Sequence, residues 1–345
     1  LPSHTAENLF WVGRYTERVI YNSRLQRTVM QWMLKNNMPV NTESSPTELL
    51  LLQILTACTY TYPGFLNEDV TKKRDEIFDN PWKELTDVLY NEKRNGSLSQ
   101  NLLLLKNSVY SVRNFWATDT WRVLRQMEEE WNMAKENTAI DHLKMIGSID
   151  KLNTSMFAFL GMNRESVRRE QGWNILDLGR KIEQAVYTIT LLKKCFQKKQ
   201  EEQTEYDLME FVMTATQSLI TYRFTYRDHL QLPLVLELLM LDLNYPKSLA
   251  YLVKKIKRYV AALPGNGKDS SLGDQERLML EADTLLKLVN GTTLSLHDST
   301  TKEYKTLQEF LDKLNALLVN TSLLVSKTYF THSKMQKQLF TTNLL

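Results

Sequence analysis

A helical frame that occurs twice places the strongest constraint on this fold. Residues 8–25 read NLFWVGRYTERVIYNSRL, and residues 174–191, which lie 166 positions later, read NILDLGRKIEQAVYTITL. Identical residues recur at Asn8 and Asn174, Gly13 and Gly179, Arg14 and Arg180, Glu17 and Glu183, and Tyr21 and Tyr187. The three- and four-residue spacings are typical of one helix face. We therefore predict an internal pseudo-duplication, with repeats at 1–163 and 164–330 packed as one globular unit and a loosely ordered tail at 331–345.

Few residues interrupt helices in this chain. Only 11 Gly and 8 Pro occur in 345 residues, and no stretch shows sustained strand alternation with hairpin turns. The fold class is therefore predicted to be all-α, a multi-helix bundle. Ser97, Asp119, Asp141 and Ser248 are expected to begin helices as N-caps.

Two further boundaries follow from the same patterns. Gly161 is expected to end the helix that begins at His142, and the second copy of the frame is placed on a helix over 164–199. Residues 206–229 are predicted to form a single helix.

Charge and composition exclude several classes of protein. The net charge of +3, from 43 basic and 40 acidic residues, lacks the basic footprint of a nucleic-acid-binding protein. No segment approaches the roughly 18 apolar residues of a membrane span, and no signal peptide is visible. Cys58 and Cys195 lie far apart and are interpreted as buried free thiols of a reducing compartment. We expect a cytoplasmic protein with no nucleic-acid or membrane partner.

Metal and cofactor signatures are missing from the sequence. None of the five histidines has a glutamate three residues before it, and no zinc-ligand spacing occurs. Residues 265–269 lack the first glycine of a phosphate-binding loop and are interpreted as a surface loop. No nucleophile signature surrounds either cysteine or any serine. We therefore predict neither a metal nor a cofactor.

The arginine and glutamate residues of the repeated frame permit two interpretations. Arg14 with Glu17, and Arg180 with Glu183, form i, i+3 pairs that suit a helix-surface or inter-repeat salt bridge. Alternatively, the two copies meet in a buried polar centre where arginines bind a carboxylate or phosphate and a carboxylate orients them or acts as a base. Outside the frame, Tyr222 with Arg223 and Arg227 is the best candidate for anion binding.

Several blocks, in order, resemble the bacterial alpha-E family of helical domains over about residues 1–330. The blocks are AENLFWVGRYTER at 6–18, SVR at 111–113 with TW at 120–121, REQGW at 169–173 with LDLGR at 176–180, YR at 222–223, and LELLMLD at 236–242 with NYPKSL at 244–249. Two positions depart from the family pattern. Glu183 is followed by Gln184 rather than by arginine, and the first-half turn reads Asn95-Gly96-Ser97.

The resemblance implies a genomic and biochemical context. Alpha-E domains are encoded beside, or fused after, a circularly permuted ATP-grasp domain, with a transglutaminase-like peptidase nearby, in systems thought to make or trim peptide bonds. Implied partners are therefore the ATP-grasp ligase, fused or separate, the peptidase and a peptide substrate; a first residue other than Met would suit the fused form. The ligand-binding candidates are Arg14, Glu17, Arg18, Arg113, Arg169, Arg180, Glu183, Tyr222 and Arg223.

Three functions follow from these observations. The leading hypothesis is an accessory binding domain that contacts the ligase or its peptide through the Arg/Glu residues. The second is an independent transferase or hydrolase that uses Glu17 or Glu183 as its base. The third is a purely structural helical scaffold.

Overall fold

The protein is all-α in the computed structural model, which describes residues 1–35, 46–66, 77–136, 141–264 and 271–330. Within these ranges the only β-type pairing is an isolated bridge between Lys198 and Glu303. The helices are α1 Ser3–Lys35, α2 Pro46–Thr59, α3 Pro81–Tyr90, α4 Leu98–Ser111, α5 Thr118–Glu136, α6 His142–Ser166, α7 Gln171–Cys195, α8 Glu202–Ala215, α9 Leu219–Tyr226, α10 Leu232–Leu236, α11 Leu249–Ala261, α12 Asp274–Lys287, α13 Gly291–Leu294 and α14 Lys305–Tyr329. Short 3₁₀ turns cover Gly64–Leu66 and Arg113–Phe115, and a π-helical turn covers Glu237–Leu241.

Three of the four predicted N-caps are confirmed. Ser97 and Ser248 each accept a hydrogen bond from the backbone N–H three residues on, at 3.0 and 3.1 Å. Asp141 accepts from two backbone N–H groups at 3.1 and 3.2 Å. The prediction for Asp119 is wrong, because α5 begins at Thr118 and Asp119 lies within its first turn. There its negative charge still favours the helix N-terminus.

Gly161 does not end a helix, as α6 continues to Ser166. A Cβ at Gly161 would meet nothing within 4 Å, so this glycine has no close neighbour that requires it. An exposed glycine inside a helix costs about 1 kcal/mol, which a long packed helix tolerates. The second copy of the frame consequently begins its helix at Gln171 rather than near 164.

The helix predicted over 206–229 is interrupted. Gln217 adopts a left-handed φ of 52°, and Ser218 N–H donates to Met213 O at 2.7 Å, which ends α8. Arg227, with φ of 54°, then ends α9 in the same way. Neither residue is a glycine, so the usual sequence signal for such an ending was absent.

The core is organised around α1 and α7, which pack against each other and which we call the central pair. α1 also contacts α2, α4 and α6, while α7 contacts α2, α11 and α14. Every residue of α1 from Ala6 to Gln26 is buried, including its charged ones. A helix enclosed on all sides must pair its buried charges, because an unpaired buried charge is costly.

The ends of α2 and α8 have similar geometry. Tyr60, which follows α2, has a left-handed φ of 58°, and Gln217, two residues after α8, has a φ of 52°. Thr59 Oγ1 donates to the carbonyl four residues back at 2.8 Å, and so does Thr216 Oγ1. The duplication and its boundary at 163/164 stay predictions.

No helix in the described residues is both long and apolar enough to cross a membrane. Cys58 and Cys195 are free and buried, as predicted. The predicted tail at 331–345 and the loop at 265–269 lie outside the described residues.

Candidate functional site

The two helices of the central pair cross at the glycines of the repeated frame. A Cβ on Gly13 would lie 2.0 Å from the backbone oxygen of Leu176, and a Cβ on Gly179 would lie 2.3 Å from that of Phe10. Both distances are far inside van der Waals contact. Only glycine therefore permits this close approach, which brings the residues one turn further along each helix together.

The arginines and glutamates that follow these glycines pair across the helices. Arg14 Nε donates to Glu183 Oε2 at 2.5 Å. In the other direction, Arg180 donates to Glu17 Oε1 from Nε at 2.8 Å and from Nη2 at 2.6 Å. The arginine of each copy thus binds the glutamate of the other copy, instead of the glutamate on its own helix.

Arg18 completes the cluster on one side. Its Nε donates to Glu183 Oε1 at 2.8 Å and its Nη2 to Oε2 at 3.1 Å, so both carboxylate oxygens of Glu183 are engaged. The equivalent position in the second copy is Gln184, whose side chain accepts instead from Lys181 Nζ at 2.9 Å. We call Arg14, Glu17, Arg18, Arg180 and Glu183 the Arg/Glu centre.

Two residues that the sequence analysis did not select connect the centre to outer helices. Arg14 Nη1 donates to Ser322 Oγ of α14 at 3.0 Å. Asp177 accepts from Arg180 Nη1 at 3.1 Å and from the Tyr259 hydroxyl of α11 at 2.6 Å. Asp177 lies in the LDLGR block, so that block could have identified it. Ser322 lies in none of the blocks and has no sequence signal.

The centre is closed to solvent. The Arg14 side chain is 0% exposed and that of Glu183 7%, and the most accessible member, Arg180, reaches 16%. Burial by itself would raise the pKa of Glu183, but Arg14 and Arg18 outweigh it and lower that pKa to about 2. Glu183 is therefore a stable anion that two buried cations share.

A small cavity beside the centre has room for about one water molecule. A cavity of about 10 Å³ is lined by Arg18, Asn22, Tyr60 and Tyr187, among other residues. This volume is close to the minimum for one water. The rings of Tyr21 and Tyr187 stack beside it with centroids 4.2 Å apart. Larger clefts lie elsewhere, including one of about 470 Å³ beside Trp131 of α5.

The other four candidates have separate surroundings. Arg113 lies exposed in the 3₁₀ turn after α4. Arg169 is exposed and stacks its guanidinium 3.7 Å from the ring centroid of Trp173. Tyr222 is buried in α9, and Arg223 is exposed on the same helix. The structure therefore brings together the five residues of the Arg/Glu centre and places these four in other settings.

Metal-binding clusters are not found in the part of the chain that the structure describes. No group of three or more His, Cys, Asp or Glu side chains there is arranged to hold a metal ion. Each carboxylate of the centre is occupied by a guanidinium, and the arrangement is that of a closed ion-pair network.

Comparison with known proteins identifies relatives over most of the chain. The chain is 24% identical over 283 residues to uncharacterized protein Rv2567 of Mycobacterium tuberculosis, covering 81% of this chain and 32% of that protein. Uncharacterized protein Mb2597 of Mycobacterium bovis matches with the same identity and coverage. The chain thus spans about a third of the length of these relatives. No solved structure matches it.

A family match covers the two copies of the frame together. Residues 1–330 match the Alpha-E family, described as "a predicted alpha-helical domain with a conserved ER motif". Glu17 and Arg18 are consecutive, so they form a Glu-Arg pair of this kind within the Arg/Glu centre. With the match extending over nearly its whole length, the chain belongs to the Alpha-E family.

Proposed function

We propose that this chain is a non-catalytic accessory domain of a bacterial, cytoplasmic ATP-grasp system that forms or modifies amide bonds. Its partner in this proposal is the ATP-grasp ligase, fused or separate, which acts on a peptide substrate alongside a transglutaminase-like peptidase. The observation that carries the non-catalytic part is the closed pairing of both motif glutamates with arginines. Membership of the Alpha-E family supports the context.

Catalysis by a motif glutamate fits this geometry poorly. A general base needs access to its substrate and a pKa near the working pH. Glu183 instead has both oxygens bound by guanidinium groups and a pKa lowered to about 2, after the opposing effect of burial. At neutral pH it would take up a proton only rarely.

The centre supports binding by positioning rather than by contact. A partner on the outer surface does not reach Arg14, whose side chain is fully buried. The centre instead holds α1 against α7 and, through Ser322 and Asp177, connects this pair to α14 and α11. Loss of the centre would therefore weaken binding only through loss of the folded arrangement.

The experiment combines the purified chain with the ATP-grasp ligase from the same genome. We expect a complex by size-exclusion chromatography with light scattering, and a ligase rate that depends on the added chain. No complex together with an unchanged ligase rate would overturn the proposal.

A variant separates positioning from contact. Arg14→Ala should bind the ligase like the wild type at temperatures where circular dichroism shows it folded. Loss of binding by the folded variant would instead assign direct ligand contact to the centre.

A further inference from the structure

Two apolar residues of α9, Ile220 and Phe224, are far more exposed than the isoleucines and phenylalanines of the core. Ile220 is 84% exposed and Phe224 is 80% exposed. They lie four residues apart on a helix, so their side chains share one face on neighbouring turns. Adjacent large apolar side chains with this exposure mark an interaction site more often than single scattered ones do.

The opposite face of α9 is anchored in the protein. Tyr222 is fully buried, its hydroxyl donates to His229 O at 3.0 Å, and it accepts from Gln231 N at 3.1 Å. Just before the helix, Ser218 Oγ accepts from the Tyr245 hydroxyl at 2.7 Å. The helix is therefore fixed from behind and at its start. A partner would meet a preorganised surface and lose little conformational entropy in ordering it.

Two arginines that have no acidic partner among the described residues lie beside the apolar pair. Arg223 and Arg227 are exposed, and neither forms an ion pair with any residue in the described ranges. The nearest acidic residue in sequence, Asp228, is engaged by His229 at 2.6 Å and by Gln231 at 2.8 Å. Arginine and phenylalanine are residue types enriched at protein interfaces. The positive charge of Arg223 and Arg227 favours a partner that presents carboxylates.

We propose that Ile220, Arg223, Phe224 and Arg227, which we call the α9 patch, form a docking surface for a protein partner that presents an apolar pocket edged by carboxylates. This inference rests on the proposed function in taking the ATP-grasp ligase as that partner. A membrane surface suits the patch less well, because an eight-residue helix with two apolar side chains gives little area to insert.

The first experiment measures the Kd of the purified ligase by isothermal titration. Ile220→Ser and Phe224→Ser should each weaken binding about thirty-fold or more, as expected for apolar anchors. The matched control is Leu288→Ser, which removes an apolar side chain that is 75% exposed on another helix end and should leave the Kd unchanged. All three positions are exposed, so the variants are expected to fold.

The second experiment tests the charges. Arg223→Glu and Arg227→Glu should slow association with the ligase and reduce its dependence on salt. If wild type and all four patch variants bind the ligase equally, the docking surface is wrong while the proposed function stands. If the wild-type chain neither binds the ligase nor changes its rate, both are overturned.

Two controls address other occupants. Sedimentation that shows a wild-type dimer abolished by Phe224→Ser would assign the patch to a second copy of this chain and overturn the proposal. Flotation with phosphatidylcholine–phosphatidylserine vesicles that depends on Phe224 would assign it to a membrane surface, with the same consequence. We expect a monomer that does not float.

Discussion

Gly13 of α1 and Gly179 of α7 meet at one helix crossing, each with the backbone of the other helix where its own Cβ would stand. This contact sets the distance at which the arginine after each glycine reaches the glutamate of the opposite helix. The glycines and the ion pairs are therefore two parts of one arrangement, and both recur at the same offset in the sequence.

Alanine at either crossing glycine should be strongly destabilising. The new methyl group would lie 2.0 Å from a backbone oxygen at position 13 and 2.3 Å from one at position 179, and backbone cannot move aside like a flexible side chain. Overpacking of this kind costs about 1–3 kcal/mol or more. Urea denaturation of Gly13→Ala and Gly179→Ala measures the loss.

Gly147→Ala and Gly161→Ala are the matched controls, because both lie inside α6 with nothing within 4 Å of a new Cβ. Alanine should raise the free energy of unfolding there by about 1 kcal/mol through helix propensity. Equal effects at crossing and control positions would contradict the close approach.

Removal of Arg14 should destabilise the protein by about 3–5 kcal/mol, because it breaks a buried ion pair and leaves Glu183 with one arginine only. Chemical denaturation of Arg14→Ala measures this. The control is Arg122→Ala, which breaks an ion pair whose side chains are 73% and 60% exposed and should not change the free energy of unfolding measurably. A stable Arg14→Ala protein would show that the pair contributes little.

Stability should fall as the pH drops below about 4.5. Burial opposes ionisation of Glu183, but Arg14 and Arg18 lower its folded-state pKa to about 2 from an ordinary value of 4.5. A lowered folded-state pKa adds stability above the unfolded value and loses it as pH falls toward the folded value. The contribution at neutral pH is on the order of 3 kcal/mol.

Denaturation between neutral pH and pH about 3 tests this titration. Glu183→Gln removes the titrating group and should make the acid-side slope shallower than that of the wild type. Parallel slopes for the two proteins would assign the acid sensitivity to other carboxylates.

The two cysteines should resist modification in the native protein. Burial raises the pKa of the Cys58 thiol to about 12 and raises that of Cys195 well above its usual range, so the reactive thiolate is scarce. A thiol assay with Ellman's reagent should detect them only after denaturation. Thr292→Cys, at an exposed position, serves as a reactive control. Fast native reaction of the wild type would show that the core opens.

Prediction from sequence succeeded where local chemistry decides the structure. The caps at Ser97, Asp141 and Ser248 begin helices because their side chains satisfy N–H groups a few residues away. It failed at Gln217, where a helix ends at a residue that is not glycine, and at Gly161, where a helix continues through a glycine. Glutamine rarely adopts a left-handed φ, and glycine is unfavourable inside a helix.

The sequence predicted which residues form the site, but not which of them pair with each other. Spacing identified Arg14, Glu17, Arg180 and Glu183, and left open whether they pair within a helix or meet between helices. The structure pairs them between helices and covers them. It also shows a feature that periodicity did not select, the exposed Ile220 and Phe224, because exposure depends on what packs nearby.

By itself the sequence determined that this protein is helical, that a Gly-Arg-Glu-Tyr frame is used twice, and that the chain resembles the Alpha-E family. These properties depend on residue type and spacing, which are local. Only the tertiary structure decided that each arginine binds the other copy's glutamate and that this centre is closed. Those outcomes depend on how near two helices approach, and two glycines 166 residues apart set that distance together.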